Sequence, residues 1–163
     1  MSKRPGPVLR FVLRAPSALY PRHLGWLLGH RFLLLDHVGR NSGTSHQTVL
    51  EVVHYDPATG RAVVMSGWGT TSDWFRNVEQ AGQANVTIGR RTLPVVTRIL
   101  DGAEAATLLA GYERSNRWIW PVVRRVLTHL AGLQYDGTEE SRLALLRELP
   151  MVEFRPLTPH VAQ

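Results

Sequence analysis

A short loop between two apolar stretches carries the first side chains suited to binding chemistry. Residues 39–45 read GRNSGTS, in which every residue is small, polar or cationic. Backbone amides in a glycine-rich turn can converge on an anion, and glycine lets a ligand approach the main chain. Arg40 adds a charged bidentate donor, while Asn41 and Ser42 add side-chain hydrogen bonds. The loop therefore suits phosphate, although a polar hairpin loop without a ligand explains the same composition.

A second segment of this kind follows at residues 66–77, SGWGTTSDWFRN. Gly67 and Gly69 surround an aromatic residue at a strand end, and a helix then begins whose N-terminus carries partial positive charge. In the alternative interpretation these glycines form a bulge and Trp74 belongs to the core. Neither segment is a P-loop or a GxGxxG dinucleotide motif, because GRNSG lacks that spacing and no GK[ST] follows it.

The composition excludes several classes of site. There are no cysteines, so disulfides, thiolate nucleophiles and cysteine-based zinc sites are ruled out together. The seven histidines show neither HExxH nor HxH spacing, so we expect no dedicated metal site. A chain of 163 residues can bury roughly 70% of its unfolded surface, which predicts one domain with its own core.

The net charge of +6 is concentrated at the N-terminus. All the excess cations precede the first acid, Asp36, in a basic amphipathic arm over residues 1–30. Such an arm could meet phospholipid, nucleic acid or an anionic small molecule. Its apolar runs are shorter than the roughly 18 residues of a membrane span, and it makes a poor signal peptide. We predict a cytoplasmic protein whose arm touches the membrane surface or packs on the domain's own core. The apolar contacts of the arm would come from Phe11, Trp26 and Leu27.

Alternation and turn chemistry predict strands that must position these loops. Strands at 31–38, 46–55 and 61–69 are joined by short connections as an antiparallel meander. Between the last two, DPATG at 56–60 is typical of a turn. A hairpin around Arg90 and Arg91 joins NVTIG to TLPVVTRIL, and a last strand is predicted at 150–156. Pro94 places its strand at an edge of the sheet or at a bulge.

Helices are predicted between and beyond these strands, at 70–82, 103–114, 119–131 and about 139–149. In the first helix Ser72 or Thr71 caps the start, Gly82 ends it, and the inward face is Trp74, Val78 and Ala81. The second has an apolar stripe of Leu108, Leu109 and Tyr112. The third begins near Pro121 and has the stripe Ile119, Val122, Val123, Val126, Leu127 and Leu130. The class is α+β, with a small barrel or strongly curled sheet at its centre.

Four segments in this order carry a resemblance to a known family. GRNSG at 39–43, TVLEVV at 48–53, VVMSGWG at 63–69 and DWFRNV at 73–78 resemble the deazaflavin-dependent nitroreductase and quinone reductase family. Its members are relatives of split-barrel flavin proteins and use reduced coenzyme F420, an 8-hydroxy-5-deazaflavin. The resemblance covers roughly residues 30–100 and, more weakly, the closing strand.

The resemblance implies an FMN-binding split-barrel-like fold of about six or seven mostly antiparallel strands with flanking helices. The domain would span residues 31–156, with a helical insertion at 103–149 and a tail at 157–163. Split-barrel relatives often pair through sheet faces, so a homodimer is an expected assembly.

The resemblance also implies a cofactor site with four parts. The phosphate and acidic tail would be bound by Arg40, Asn41, Ser42 and Gly43. The strand beside the cofactor would contribute His46, Gln47, Thr48, Val49, Leu50 and Glu51. The deazaflavin ring would lie along Val64, Met65, Ser66 and Gly67. The phosphate pocket would be closed by Asp73, Trp74, Phe75, Arg76 and Asn77.

The implied chemistry is hydride transfer from reduced F420 to a quinone or other electron-poor organic acceptor. Ser66 would donate a hydrogen bond near the ring, and Tyr112 would serve as a proton donor unless it is a core aromatic. Trp118 and Trp120 would roof the acceptor pocket or pack at a helix start. The family commonly has lysine at the position of Asn41, and the arginine-rich arm would compensate for that loss.

Two alternatives remain from the sequence. The same barrel could bind FMN, haem or F420 without turning over a substrate, since fold alone does not choose among them. The arm and the pair Arg124 and Arg125 could bind nucleic acid. The pair lies on the polar face of an amphipathic helix, where a solvated role is favoured, so we expect no nucleic-acid partner.

Overall fold

Six antiparallel strands close into a barrel in this computed structural model, which describes residues 29–157. The strand order is β1-β2-β3-β6-β5-β4, and pairing between β1 and β4 closes the ring. The predicted split-barrel class is confirmed. The strands are β1 Phe32–Val38, β2 Ser45–Asp56, β3 Arg61–Met65, β4 Gln83–Ile88, β5 Arg91–Ile99 and β6 Met151–Pro156.

Four helices and one short 3-10 turn accompany the barrel. The turn at Gly69–Thr71 leads into α1, and the other helices fall between β5 and β6 as the sequence predicts. Gly82 ends α1 in a left-handed conformation, with φ of 68°, as its position predicts. The helices are α1 Asp73–Ala81, α2 Gly102–Ser115, α3 Trp120–Ala131 and α4 Glu139–Glu148.

The apolar residues form two cores, one on each side of the barrel wall. The barrel interior is filled by alternate strand residues, such as Leu33 and Leu35, together with Phe75 and Val78 of α1. The second core lies between the outer face of the sheet and the helices. It includes Val63 and Met151 from the strands and Leu109, Leu127 and Leu145 from α2, α3 and α4. One face of the barrel is therefore covered by helices, which limits where a ligand can lie.

Two strand predictions need correction. The third strand ends at Met65 rather than at residue 69, because Gly69 adopts a φ of 62° that reverses the chain into the 3-10 turn. Pro94 is neither on an edge strand nor at a bulge, since β5 pairs with both β4 and β6 in regular register. It is tolerated because it lies where the pairing with β6 ends: its carbonyl accepts from Leu157 N–H across 3.0 Å, and the missing N–H removes only the return hydrogen bond at this end.

Two helix positions also differ from the predicted stripes. Ala81 is exposed in the last turn of α1, so the buried face of that helix is confined to Trp74, Phe75, Asn77 and Val78. Val122 is exposed as well, because α3 contacts the second core through Val123, Leu127 and Leu130 instead. Helical periodicity identifies a face to within about one residue, and the neighbouring element decides its edges.

Candidate functional site

The loop between β1 and β2 is folded on itself by backbone hydrogen bonds. Gly39 N–H donates to the Thr44 carbonyl across 2.8 Å, and Gly43 N–H donates to the Gly39 carbonyl across 2.8 Å. Gly43 has a φ of 68°, which a residue with a side chain rarely adopts. The hydroxyls of Ser42 and Thr44 are 2.8 Å apart. The loop that the sequence singles out therefore has a defined shape.

The start of α1 meets this loop through Arg40. The Arg40 backbone N–H and its Nη1 both donate to Asn77 Oδ1, across 3.1 and 3.0 Å. Nη1 also donates to Asp73 Oδ1 across 3.1 Å. Asn77 is 3% exposed, whereas Asp73 is open to solvent. The first motif and the helix start, which are separate in the sequence, thus form one structural unit.

An open cleft of about 410 Å³ lies at this junction, at the mouth of the barrel. Nine of the residues expected to bind a cofactor line it, together with His37 and Gly39. Gly43 lies in the same loop. The nine residues are Arg40, Asn41, Ser42, His46, Gln47, Thr48, Asp73, Trp74 and Asn77. The cleft combines one guanidinium with several neutral donors, and its one carboxylate among the described residues, Asp73, is paired with that guanidinium, a set that suits an anion.

His37 lines the cleft but was missed as a site residue. Its ring lies between Asn77 and Thr48, with Nδ1 3.0 Å from Asn77 Nδ2 and Nε2 3.2 Å from Thr48 Oγ1. The His46 ring is stacked beside it, with centroids 5.8 Å apart. Burial lowers the pKa of His37, with a further contribution from His46, against Asp36 and Asp73, which raise it. The sequence did contain a signal for His37, because alternation from Leu33 and Leu35 places residue 37 on the core-facing side of its strand.

The stretch expected to lie along the deazaflavin ring, residues 64–67, is mostly enclosed, and its contact with a ring stays a prediction. Val64 is fully buried inside the barrel, and Met65 packs into the second core beneath the helices. Gly67 faces Leu130 of α3. The helical layer covers β3 because α2, α3 and α4 bury their apolar faces on the outer side of the sheet.

Ser66 is likewise buried, and its hydrogen bonds are made within the bend. Its hydroxyl donates to the Gly69 carbonyl across 2.7 Å, and Ser72 Oγ lies 3.0 Å away. Because the Ser66 proton is used by Gly69, Ser72 must donate to Ser66. The expected hydrogen bond from Ser66 to a ring therefore has no donor proton here, and Ser66 instead stabilises the turn before α1.

The outer face of β2 provides a different surface next to the cleft. Leu50 points into the barrel and packs against its core. Alternation therefore turns Gln47, Val49 and Glu51 outward. Glu51 is exposed and accepts a hydrogen bond from Tyr112 of α2 across 2.9 Å. With a rise of about 3.3 Å per residue, this pair lies about 10 Å along the strand from Thr48. Burial and then Glu51 raise the pKa of Tyr112, so its hydroxyl keeps its proton at neutral pH.

The remaining predicted residues are more peripheral. Phe75 belongs to the barrel core, and the Arg76 Nε donates to the Thr70 carbonyl across 3.0 Å. Trp120 packs edge-on against Tyr135 in the second core, so the packing interpretation applies to it. Trp118 is 81% exposed beyond the end of α2. The predicted roof over an acceptor is not formed by these two residues within the described part of the chain.

A sequence model of the family described as F420H(2)-dependent quinone reductase matches residues 15–119. The chain belongs to this family. The match includes the cleft loop, β2 and the start of α1, and it extends into the arm. The expected F420-dependent reductase family is thus confirmed, while the nitroreductase label stays a prediction. Comparison with curated proteins gave no significant match.

Solved structures support the fold of this F420H(2)-dependent quinone reductase family member. A protein of unknown function from Agrobacterium tumefaciens is 16% identical, with a TM-score of 0.51. The match covers 90% of this chain but 57% of that one. A protein from Clostridium acetobutylicum related to general stress protein 26, of the pyridoxinephosphate oxidase family, is 10% identical with a TM-score of 0.50. That match covers 90% of this chain and 92% of that one. At these identities the likeness concerns the fold alone.

The arm predicted to touch a membrane lies almost wholly outside the described residues. Between residues 29 and 157, no helix is long and apolar enough to cross a bilayer.

Proposed function

We propose that the protein is an oxidoreductase that uses reduced F420 to deliver a hydride to a quinone or another electron-poor organic acceptor. Family membership supports the cofactor and the acceptor class. The observation that carries the proposal is the position of Arg40, which Asp73 and Asn77 hold at the wall of a cleft rich in hydrogen-bond donors.

The side chains of the cleft fit the phosphate of such a cofactor. Asn41, Ser42 and Thr48 bring neutral donors to the same cleft as the Arg40 guanidinium. Charge-assisted hydrogen bonds to phosphate are stronger than neutral ones, so Arg40 would contribute most. Among the described residues that line the cleft, Arg40 is the only arginine or lysine. We therefore propose that the cations of the arm, rather than the cleft, bind the acidic tail.

The outer face of β2 is the surface we propose for the ring-bearing part of the cofactor. Gln47 belongs to the cleft, and Val49 and Glu51 continue the same face of the strand. We propose this face as the surface for the ring in place of residues 64–67, which are mostly enclosed. Bound F420 would supply the hydride from carbon 5 of its ring. The protein would hold the acceptor against that face and exclude water, which is the main requirement for such a transfer.

Tyr112 is the residue we propose as proton donor to the acceptor. A quinone that takes up a hydride becomes an anion, which needs one proton to give the hydroquinone. The Tyr112 hydroxyl lies at the end of the proposed surface and donates its proton to Glu51 in the ligand-free protein, so it would exchange this hydrogen bond for one to the acceptor. Its raised pKa leaves the hydroxyl protonated at neutral pH but makes it a weaker acid, so the proton would pass only to a strongly basic acceptor anion.

The test of cofactor binding is titration of purified protein with F420, followed by the fluorescence of the cofactor. We expect Arg40→Ala to weaken binding by 10- to 100-fold, roughly the effect of losing hydrogen bonds between charged groups. Arg124→Ala is the matched control, because Arg124 is exposed on α3 and does not line the cleft. The control should bind F420 like the wild type.

The proposal would fail if wild-type protein gave no saturable signal with F420. It would also fail if Arg40→Ala and Arg124→Ala bound the cofactor equally well. A preparation carrying FMN or haem, visible by its absorbance, would instead favour a binding protein of the same fold.

A further inference from the structure

His37 occupies an inward-facing position where the barrel interior opens into the cleft. Leu33 and Leu35, two and four residues earlier on β1, are fully buried, and His37 is 5% exposed. Both ring nitrogens have hydrogen-bond partners, Asn77 from α1 and Thr48 from β2. A buried polar ring of this kind costs stability unless its hydrogen bonds are well made. The partner atoms therefore indicate which of the two ring nitrogens carries a proton.

The hydrogen bonds of Arg40 determine which way the Asn77 amide points. Two donors of Arg40, its backbone N–H and its Nη1, converge on Asn77 Oδ1. The other end of the amide, Nδ2, is then the atom next to His37 Nδ1, 3.0 Å away. An amide nitrogen can donate but cannot accept, so Nδ1 of His37 must be the acceptor.

The tautomer of His37 follows from this arrangement. If Nδ1 accepts, the neutral ring carries its proton on Nε2, and Nε2–H donates to Thr48 Oγ1 across 3.2 Å. One lone pair of the Thr48 hydroxyl is then used by the histidine, and its proton is free to point elsewhere. Thr48 lines the cleft, where no described side chain other than His37 is hydrogen-bonded to its hydroxyl.

We propose that His37 is a positioning residue, whose neutral Nε2–H tautomer aligns Arg40, through Asn77, and the Thr48 hydroxyl as paired donors to one phosphate-like anion in the cleft. This inference deepens the proposed function and rests on it for the source of the phosphate. Each group donates a hydrogen bond to the next: Arg40 to Asn77, Asn77 to His37, and His37 to Thr48. The Thr48 hydroxyl would then donate to the anion. Hydrogen bonds aligned in one direction reinforce one another in a low-dielectric site.

Protonation of His37 would break this alignment. A cationic ring carries protons on both nitrogens, so Nδ1–H would face the Asn77 Nδ2 donor. The amide would have to flip, and Arg40 would lose both hydrogen bonds to Asn77 and keep only the one to Asp73. The titratable and charged groups near His37 are Asp36 on its own strand, His46 on β2, Asp73 on α1 and Arg40 in the loop. Since burial and His46 lower the pKa of His37 against the two carboxylates, the aligned form persists at neutral pH and is lost on acidification.

The first test is the tautomer itself, read from the nitrogen chemical shifts of the His37 ring in the ligand-free protein. We expect a neutral ring protonated on Nε2 at pH 7.5. A ring protonated on Nδ1, or a cationic ring, would overturn the inference. This measurement does not depend on F420, so it separates the inference from the proposed function.

The second test is binding of two probes, inorganic phosphate and F420, to a set of variants. His37→Phe keeps a flat ring but removes both hydrogen bonds, and Thr48→Val removes only the hydroxyl. We expect each to weaken binding of both probes by about 5- to 10-fold, the effect of one lost hydrogen bond. The double variant should be no more than about twofold weaker than the worse single variant, because His37 acts through Thr48. Thr92→Val, the same change at an exposed position of β5, is the control and should bind normally.

His37→Asn supplies a conservative comparison, since its amide oxygen can accept from Asn77 although it cannot reach Thr48. We expect binding intermediate between wild type and His37→Phe, without the loss on acidification that the wild type shows. Unchanged binding in His37→Phe, or full additivity with Thr48→Val, would contradict a positioning role. Binding of phosphate but not F420 by the wild type would retain the inference and reject the proposed cofactor.

Discussion

At position 69 the chain turns between the third strand and α1, and only glycine fits there. Gly69 has a φ of 62°, and a Cβ at this position would lie 2.5 Å from the carbonyl oxygen of Glu148 at the end of α4. The carbonyl group of Gly69 itself accepts the hydrogen bond from Ser66. The glycine that the sequence suggests as part of a binding motif therefore has a packing role, and the anion cleft depends on Gly39 and Gly43 instead.

Gly69→Ala should therefore lower the free energy of unfolding by more than the left-handed backbone alone explains. Alanine at a left-handed position costs about 1–2 kcal/mol, and the clash with a backbone carbonyl adds to it. Gly82→Ala is the matched control, because Gly82 has a φ of 68° but nothing within 4 Å of the added Cβ. Urea denaturation of both variants measures the difference. Equal losses would show that the Glu148 carbonyl moves aside at no cost.

Among the secondary-structure elements, α2 links the proposed surface of β2 to the helical core. Its N-terminus is capped by Asp101, which accepts from the Glu104 backbone N–H across 2.9 Å. Tyr112 reaches Glu51 on β2 one turn before the helix ends. Nearby, Glu113 accepts hydrogen bonds from Tyr135 and from Arg142 in the second core. The helix thus has one tyrosine contact toward the strand and another toward its helical neighbours.

These two tyrosines make a matched pair for testing the proton donor. We expect Tyr112→Phe to lower kcat for quinone reduction by about 100-fold or more, the usual contribution of a positioned acid, with F420 affinity unchanged. Tyr135→Phe removes a similar buried hydroxyl at the Glu113 site, so it should cost about 1–2 kcal/mol of stability but leave kcat per folded molecule unaltered. If both variants lowered kcat equally, Tyr112 would have no special part in the reaction.

Across the whole molecule, a buried carboxylate ties three strands of the barrel together. Glu153 on β6 is 2% exposed and accepts from Arg61 on β3 and Arg98 on β5, its two neighbouring strands. Both arginines also pair with Glu104 of α2, across 2.8 and 3.0 Å. Burial opposes ionisation of Glu153, but the hydrogen bonds from Arg98 and Arg61 outweigh it and lower its pKa to about 2.

This network predicts a component of acid sensitivity. Because the pKa of Glu153 is lowered on folding, its contribution is present above the unfolded pKa of about 4.5 and is lost as the pH falls toward 2. The shift corresponds to roughly 3 kcal/mol. Glu153→Gln should lose about 2–3 kcal/mol at pH 7 and show a smaller further loss between pH 5 and pH 2.5 than the wild type. Denaturation across this range measures it, and parallel curves for the two proteins would contradict it.

Local patterns in the sequence determined the elements and their order in the chain. Alternation and turn residues placed the meander, the Arg90–Arg91 hairpin and the four helices within a few residues of their observed bounds. These features depend on neighbours in the chain, so they can be predicted without knowing the fold. The residue types of GRNSG and DWFRN likewise indicated hydrogen-bond donors for an anion.

Only the tertiary structure decided which of these parts meet. Arg40 and Asn77 are 37 residues apart in sequence, and their contact depends on the closing of the barrel between β1 and β4. The same closure places His37 against Asn77, and the folding of three helices over β3 encloses residues 64–67. Such contacts arise from the burial of apolar faces by distant elements. That burial is non-directional, and local residue patterns therefore do not specify which partner each face will find.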